Sequence, residues 1–246
     1  MVWRDDPTPY KVVVSEIMLQ QTQVERVAKK FDSFIKKFPS FSSLAKAPLH
    51  EVLKEWQGLG YNRRGLNLQK LARAVNGKLP QIHEELVELP GIGPNTAGSI
   101  LAFAFNIPYP FIETNIRTVF IHFFFNKSKQ KIDDEKLMPL IEKTLDKKNP
   151  REWYYALMDY GAMLKKTQIN PSQRSKHHVK QSKFKGSNRE LRSHILKEVL
   201  KKPQTIKSLI GLFPDKPAIT IGKNIKDLEK EGFISKKKSI YTITRG

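Results

Sequence analysis

One short segment constrains the fold more than any other part of the chain: residues 89–97 have the sequence Leu-Pro-Gly-Ile-Gly-Pro-Asn-Thr-Ala. The segment lies between two stretches whose apolar residues recur at helical spacing. Its glycines permit a tight connection, so backbone amides at the start of the second helix can face a phosphate group. The pattern predicts a phosphate-binding hairpin between two helices, and the alternative is a plain turn. The residues expected at this backbone contact are Leu89, Gly91, Ile92, Gly93 and Thr96.

Helical spacing extends over most of the chain up to about Lys165, and alternating strand patterns are nearly absent there. An all-α domain is therefore predicted over residues 1–166. Its predicted helices are Tyr10 to Phe38, Phe41 to Leu44, Leu49 to Trp56, Asn62 to Val75, Ile82 to Glu88, Asn95 to Phe105, Glu113 to Phe125, Glu135 to Leu145 and Arg151 to Leu164.

The composition changes after this domain. Residues 167–187 are polar and basic, which predicts a solvated linker or loop with DNA backbone contact as its use. The pattern of residues 188–246 predicts a small α+β domain similar to a winged helix. Its predicted helices are Leu191 to Leu200, Ile206 to Leu212 and Ile219 to Glu231. A predicted hairpin follows, with strands Phe233 to Ser235 and Ile240 to Ile243 and a turn at Lys236 to Lys238.

The third helix of this module carries lysines at a spacing that places them on one face. Lys223, Lys226 and Lys230 share that face, with Asn224 beside them. Lys223 and Lys226 are predicted to contact the DNA backbone. The alternative is a protein-interaction module in which these lysines are incidental.

Net charge narrows the class of partner. The chain has 246 residues with 44 Lys and Arg against 24 Asp and Glu, a formal net charge of +20. Such a charge favours a polyanionic partner, and nucleic acid is the natural candidate. An anionic membrane surface competes, but neither a long apolar run nor a signal-peptide pattern is present. We expect an intracellular protein, cytoplasmic and associated with the nucleoid in a prokaryote.

A carboxylate in an apolar helical segment is the strongest chemical signal. Glu16 lies within residues 14–24, Val-Ser-Glu-Ile-Met-Leu-Gln-Gln-Thr-Gln-Val. Burial of an acid costs solvation free energy, and proteins accept that cost where a proton is held or delivered near neutral pH. Gln20 and Gln21 offer hydrogen-bond donors and acceptors to the edge of a base.

Six motifs in this order resemble the helix-hairpin-helix DNA glycosylases, and within them the MutY-type adenine glycosylases. They are Trp3-Arg4, Pro9 to Val12, Ser15 to Thr22, Gly58 to Tyr61, the hairpin of residues 89–97, and Ala156 to Met163. The resemblance covers the first two-thirds of the chain. It implies two helical subdomains, with the target base flipped into the cleft between them and the hairpin on the backbone of the damaged strand.

The resemblance also implies roles for individual residues. Glu16 occupies the position of the acid that protonates the departing purine. The family stabilises the positively charged sugar with an aspartate in an Asp-x-Asn pattern. Here Glu113 takes the place of that aspartate and Asn115 would orient it. The added methylene displaces the carboxylate, so either the site is reshaped or activity is weak or redirected; the alternative is an acid that only favours the helix dipole.

The resemblance gives the remaining pocket residues smaller roles. Asn95 stands where strand-cleaving relatives carry a nucleophilic lysine, so a monofunctional enzyme is expected. Trp3 and Arg4 match the adenine pocket. Gln21 and Tyr61 match the wedge that fills the gap in the duplex, although Tyr61 could be a core aromatic. Gln20 is expected behind the residues that contact the base.

Two features of the resembled family are missing from this chain. It has no cysteine, so an iron–sulfur cluster is excluded and no metal or other cofactor is expected. Lys165, Ser172 and Ser175 fall near the expected cysteine positions, and the basic segment Asn170 to Lys185 would hold the loop instead. We expect the winged-helix-like module to stand in place of the C-terminal domain with which the resembled family reads 8-oxoguanine.

These observations predict a monomeric base-excision repair glycosylase acting on double-stranded DNA with a mispaired or damaged base. Adenine opposite 8-oxoguanine or guanine is the expected substrate. The alternatives are a thymine or uracil mismatch glycosylase and a non-catalytic DNA-binding protein.

Overall fold

The structure, a computed structural model, describes residues 1–128, 130–167 and 170–245. Lys129, Gln168, Ile169 and Gly246 belong to the predicted domains and linker and lie outside the described residues. The chain forms two compact units, each made of two segments: a first unit of Met1–Ile17 and Lys78–Gln181, and a second unit of Met18–Gly77 and Ser182–Gly246. This grouping by contact differs from the predicted order of domains along the chain, whose boundaries stay a prediction.

The described residues are mostly helical with one small sheet, which confirms the predicted fold class. The helices are α1 (Pro9–Leu19), α2 (Val24–Lys37), α3 (Phe41–Lys46), α4 (Leu49–Trp56), α5 (Arg63–Ala74), α6 (His83–Val87), α7 (Pro94–Phe105), α8 (Thr114–Phe124), α9 (Asp134–Thr144), α10 (Pro150–Thr167), α11 (Asn188–Lys201), α12 (Ile206–Leu212) and α13 (Ala218–Lys230). The strands are β1 (Gln204–Thr205), β2 (Ile234–Lys237) and β3 (Ile240–Ile243), and a short 3₁₀ helix covers Pro171–Arg174.

Most helix boundaries agree with the prediction to within a few residues, with one clear exception. The predicted helix from Tyr10 to Phe38 is wrong, because α1 ends at Leu19 and α2 begins at Val24. Gln21 between them has φ +55°, a left-handed backbone conformation that interrupts a helix. Apolar periodicity continues through the interruption, so the pattern alone does not show the break.

Packing of α8 against α10 forms the centre of the first unit. Gly161 allows this close approach, since a Cβ there would lie 2.3 Å from the carbonyl oxygen of Asn115. The fully buried Tyr154 donates its hydroxyl to the carbonyl of Tyr109 at 2.9 Å and accepts from the amide of Phe111 at 3.1 Å. These contacts fix the chain that leads into α8.

The predicted solvated linker is wrong for its first described residues. Ser172 and Ser175 are buried, and Ser175 forms a parallel bridge with Ile132. Arg174 donates to the backbone carbonyls of Phe125 at 2.8 Å and Asn126 at 2.9 Å, beyond the end of α8. Carbonyl groups at a helix end need donors, so this arginine holds the segment against the first unit.

The C-terminal part of the second unit has three helices and an antiparallel sheet in the order β1-β3-β2. The predicted hairpin is confirmed, but Lys236 and Lys237 belong to β2 rather than to the turn. β1 is too short to give a strand pattern in the sequence. Residues of α4 and α5 share one hydrophobic cluster with this module: Leu49, Leu53 and Leu66 pack with Leu191, Ile195, Leu196, Val199, Leu209, Ile221, Ile225, Leu228, Phe233, Ile234 and Tyr241.

Candidate active site

Glu16 is a polar residue in an otherwise buried stretch of α1. Val13, Val14 and Ile17 around it are fully buried. Its Oε2 accepts a hydrogen bond of 2.6 Å from the hydroxyl of Ser99 on α7. Burial raises the pKa of Glu16 to about 7, the Ser99 hydrogen bond opposes the rise, and the negative charge of Glu113 adds to it. Glu16 can therefore hold a proton near neutral pH.

Arg4 lies beside Glu16 and lowers its pKa slightly. The guanidinium of Arg4 lies 4.2 Å from the ring centroid of Tyr155 and donates to Asp159 at 2.8 Å. Trp3, the other predicted pocket residue, is only 5% exposed. Tyr155 was not predicted as a site residue, because a tyrosine at helical spacing in α10 resembles any core aromatic.

Glu113 begins α8 as its N-cap. Its Oε1 accepts from the backbone amides of Asn115 at 2.7 Å and Ile116 at 3.0 Å, and the Asn115 side-chain amide lies 3.5 Å from Oε2. Burial raises the pKa of Glu113, whereas the Ile116 amide, the charge of Lys165 and the Asn115 amide lower it. The carboxylate is thus anchored at a helix start, where the dipole also favours its charged form.

Lys165 completes this group from α10. Its Nζ donates to the Oδ1 of Asn115 at 2.7 Å. Burial lowers the pKa of Lys165, and the negative charge of Glu113 raises it. The sequence identified Lys165 only as an occupant of an expected cysteine position. Its link to Asn115 depends on the contact between α8 and α10, so no local pattern could have shown it.

The predicted hairpin joins α6 to α7. Gly91 has φ +87°, which favours glycine, and Gly93 is the N-cap of α7 with extended backbone. A Cβ at Gly93 would meet nothing within 4 Å, so the missing side chain leaves open space outside the helix start. Ile92 is buried and anchors the hairpin, while Leu89 and Thr96 are half-buried.

Asn95 connects the hairpin to the chain that precedes α8. Its Oδ1 accepts from the backbone amide of Ile112 at 3.2 Å. Ile112 directly precedes Glu113. The first unit therefore brings together Glu16, Glu113, Asn115 and Arg4 through charge interactions or hydrogen bonds. Asn95 is hydrogen-bonded to Ile112, the residue directly before Glu113.

The second unit holds the predicted wedge residues at two left-handed positions. Gln21 has φ +55° and is exposed, whereas Gln20 is half-buried. Tyr61 has φ +46° and is 37% exposed, so the alternative of a core aromatic is wrong. Positive φ is uncommon for residues other than glycine, and such strain persists only where neighbouring contacts enforce it.

Arg64 supplies contacts that hold the two left-handed positions, and it was not predicted as a site residue. This buried residue donates to the carbonyls of Met18 at 2.8 Å and Gly60 at 3.0 Å, and to the hydroxyl of Thr22 at 2.9 Å. Burial lowers its pKa to about 10. One side chain thus links the loop after α1 to the turn before α5. The sequence pattern does not show that an arginine is buried, so it did not identify Arg64 as a site residue.

Comparison with known proteins gives the family. The model of the HhH-GPD superfamily of base excision DNA repair proteins matches residues 14–146. This match covers more than half of the chain. The chain belongs to the HhH-GPD superfamily. The matched residues include both Glu16 and Glu113.

The curated relatives are adenine DNA glycosylases. Over 166 residues, the chain is 38% identical to the adenine DNA glycosylase of Buchnera aphidicola subsp. Baizongia pistaciae. This alignment covers 66% of this chain and 47% of the relative. It is 35% identical over 164 residues to the human protein, covering 64% of this chain and 30% of the relative. The chain therefore spans about half the length of the bacterial relative and less of the human one.

Two solved structures share the fold. A thermostable thymine-DNA glycosylase superposes with a TM-score of 0.63 at 27% identity, covering 70% of this chain and 82% of that protein. An endonuclease III bound to DNA gives a TM-score of 0.50 at 23% identity, covering 65% of this chain and 74% of that protein, and shows the fold alone.

The residues near the expected cluster positions do not fit an iron–sulfur centre. Lys165 is bonded to Asn115, Ser172 donates to the side chain of Asn170 at 2.8 Å, and Ser175 accepts from the amide of His177 at 3.0 Å. The sequence has no thiolate to replace them. Within residues 1–128, 130–167 and 170–245, no group of His, Cys, Asp and Glu could hold a metal ion, and no helix could cross a membrane.

The predicted basic face of α13 is exposed in part. Lys223, Lys226 and Lys230 are exposed, and their contact with DNA stays a prediction. The placement of Asn224 beside them is wrong, because this residue is buried and donates to Asn188 at 2.8 Å. Asn224 instead links α13 to the start of α11.

Proposed function

We propose that this protein is a monofunctional DNA glycosylase that hydrolyses the N-glycosidic bond of adenine paired with 8-oxoguanine or guanine. The observation that carries the proposal is a pair of interacting carboxyl groups, Glu16 and Glu113, with different surroundings. Two such groups can divide the roles of acid and charge stabiliser. The names of the curated relatives favour adenine as the base.

Glu16 supplies the proton. With its pKa raised to about 7, a large fraction of the group is protonated near neutral pH. Transfer of this proton to a ring nitrogen makes the purine a better leaving group. As the bond from C1′ to nitrogen breaks, its electron pair leaves with the base, and water then adds to C1′ and loses a proton to a carboxylate. The products are the free base and an abasic site.

Glu113 stabilises the positive charge that forms on the sugar. Two backbone amides and the ammonium of Lys165 favour its ionised form against the effect of burial. The N-cap hydrogen bonds also fix the direction of the longer side chain, so a glutamate can be as firmly held here as an aspartate. This anchoring supports a catalytic role for Glu113, with Asn115 as its positioning partner.

Asn95 supports the monofunctional assignment. An amide cannot attack C1′ to form a Schiff base. Its side chain instead accepts the hydrogen bond from Ile112 that ties the hairpin to the chain before Glu113. The hairpin, together with Lys223 and Lys226, would bind the phosphate backbone of duplex DNA. We place the protein, as a monomer, in the cytoplasm, associated with the nucleoid if the cell is prokaryotic.

A mismatch glycosylase for thymine is the second candidate. The similarity in fold and sequence to a thymine-DNA glycosylase favours it. Release of a pyrimidine needs less protonation of the base, so it would depend less on Glu16.

Base release under single-turnover conditions tests these proposals. Duplexes with adenine opposite 8-oxoguanine, adenine opposite guanine, and thymine or uracil opposite guanine are incubated with the protein, and abasic sites are then cleaved with alkali. We expect release of adenine and its loss in Glu16→Gln, with Glu142→Gln on the exposed face of α9 as the matched control. Full activity of Glu16→Gln would contradict the assigned acid.

The monofunctional assignment has its own measurement. Borohydride traps a Schiff base between an enzyme amine and the abasic sugar. We expect no trapped adduct and no strand cleavage before alkali. Cleavage at the rate of base release would refute this part of the proposal without affecting the rest.

A further inference from the structure

The C-terminal module places a cation beside Tyr61, the tyrosine predicted to act as a wedge. The guanidinium of Arg189, in the first turn of α11, lies 5.3 Å from the ring centroid of Tyr61. Its Nη1 donates to the Tyr61 hydroxyl, and its Nη2 donates to the carbonyl and hydroxyl of Ser182 at 2.7 and 3.0 Å. Arg189 therefore fixes both the ring and the oxygen of Tyr61.

The helix α11, which carries Arg189, is anchored by buried contacts. Leu191 and Ile195 of α11 lie in the same hydrophobic cluster as Leu53 of α4. The side chain of Asn224 also donates to Asn188, the first residue of α11. Side chains supported by packed elements hold their geometry more accurately than those on free loops. The contact between Arg189 and Tyr61 thus lies at the surface, on a helix that is anchored in the core of the second unit.

The surroundings of the pair fit nucleic acid. The groups that Arg189 contacts, a phenol and a serine, are neutral, so they leave its positive charge uncompensated. Arg63, Lys183 and Lys185 are exposed residues of the same unit. An exposed aromatic ring next to an arginine is a surface on which a base can stack, and the guanidinium can donate to base edges or phosphate.

We infer that Arg189 is a positioning residue through which the C-terminal module sets Tyr61 against the unpaired base opposite the flipped nucleotide. This inference rests on the proposed function and on the family resemblance, which matches Tyr61 to the wedge. It gives the module a part in recognising the opposite strand, in addition to backbone binding by α13. Loss of the Arg189 guanidinium would remove the hydrogen bond to the Tyr61 hydroxyl and the contact of Arg189 with the ring, while the guanidinium of Arg64 would still lie 5.5 Å from the ring centroid.

The test reads the opposite base directly and needs no catalysis. All variants carry Glu16→Gln, and the duplex carries 2-aminopurine opposite the target adenine, so that its fluorescence reports a change in stacking. Arg189→Met is compared with Arg192→Met on the same helix, whose guanidinium pairs with Glu231 at 2.9 Å. Arg189→Lys keeps the charge without the planar fork.

We expect Arg189→Met either to raise the protein concentration at the titration midpoint by about tenfold or to abolish the fluorescence change. Arg189→Lys should recover part of the response, and Arg192→Met should keep all of it. Tyr61→Phe should reduce the effect of Arg189→Met, because the hydroxyl acceptor is then absent. An unchanged response in Arg189→Met, or an equal loss in Arg192→Met, would overturn the inference. If wild-type protein released no base from any duplex while the fluorescence response still depended on Arg189, the proposed function alone would fail.

Discussion

The hydroxyl of Ser99 offers a direct way to change the proton affinity of Glu16. It lies 2.6 Å from Glu16 Oε2 and 2.9 Å from the carbonyl of Thr96, and a hydroxyl has only one proton to donate. When Glu16 is ionised, Ser99 donates to it. When Glu16 is protonated, the acid can donate to Ser99, and Ser99 can turn its proton to Thr96. Both protonation states are therefore hydrogen-bonded, but the charged one more strongly.

The expected shift follows from the difference between these two hydrogen bonds. A hydrogen bond to a charged group contributes about 1.5–3 kcal/mol, and one between neutral groups about 0.5–1.5 kcal/mol. Ser99→Ala therefore removes about 1 kcal/mol of preference for the ionised form. Because one pKa unit corresponds to about 1.4 kcal/mol, the pKa of Glu16 should rise by roughly 0.7 units above its value of about 7.

Single-turnover base release as a function of pH measures this shift. In the proposed mechanism Glu16 must be protonated to act, so the rate should fall as pH rises through its pKa. In Ser99→Ala this descending limb should move to higher pH, while the rate on its acid side changes little. A limb that stays in place, or moves to lower pH, would refute the reasoning. Loss of rate at every pH would instead indicate that Ser99 positions the acid.

Two further substitutions test the supports of the site. Lys165→Met should raise the pKa of Glu113, because it removes a positive charge that favours the carboxylate. In the proposed mechanism Glu113 must be ionised to act, so the ascending limb of the pH–rate profile should move to higher pH. On the acid side of that limb the rate should fall about tenfold for each unit by which the pKa rises. An unmoved limb would contradict this link. Arg64→Met should lower the free energy of unfolding by roughly 3 kcal/mol, since buried carbonyls lose their donor. Urea denaturation measures the change, and the exposed Arg63→Met, expected within about 0.5 kcal/mol of wild type, is its control.

Local patterns in the sequence predicted the elements of the fold and the residues that carry chemistry. Apolar periodicity located the helices, since a helix repeats its buried positions every three or four residues. Gly91 and Gly93 marked the hairpin, because glycine permits a tight connection between two helices. Glu16 stood out because an acid is rare on an apolar helix. The break after Leu19 was missed, because a left-handed residue such as Gln21 leaves the apolar pattern on either side unchanged.

Tertiary structure alone decided what acts on these residues. Ser99 is 83 residues from Glu16, Lys165 is 50 residues from Asn115, and Arg189 is 128 residues from Tyr61. Such pairs form only when helices pack, and a single sequence records periodicity within each helix but not which helices meet. The sequence by itself therefore determined the acid at position 16, whereas packing determined its proton affinity and brought Arg189 of the C-terminal module to Tyr61.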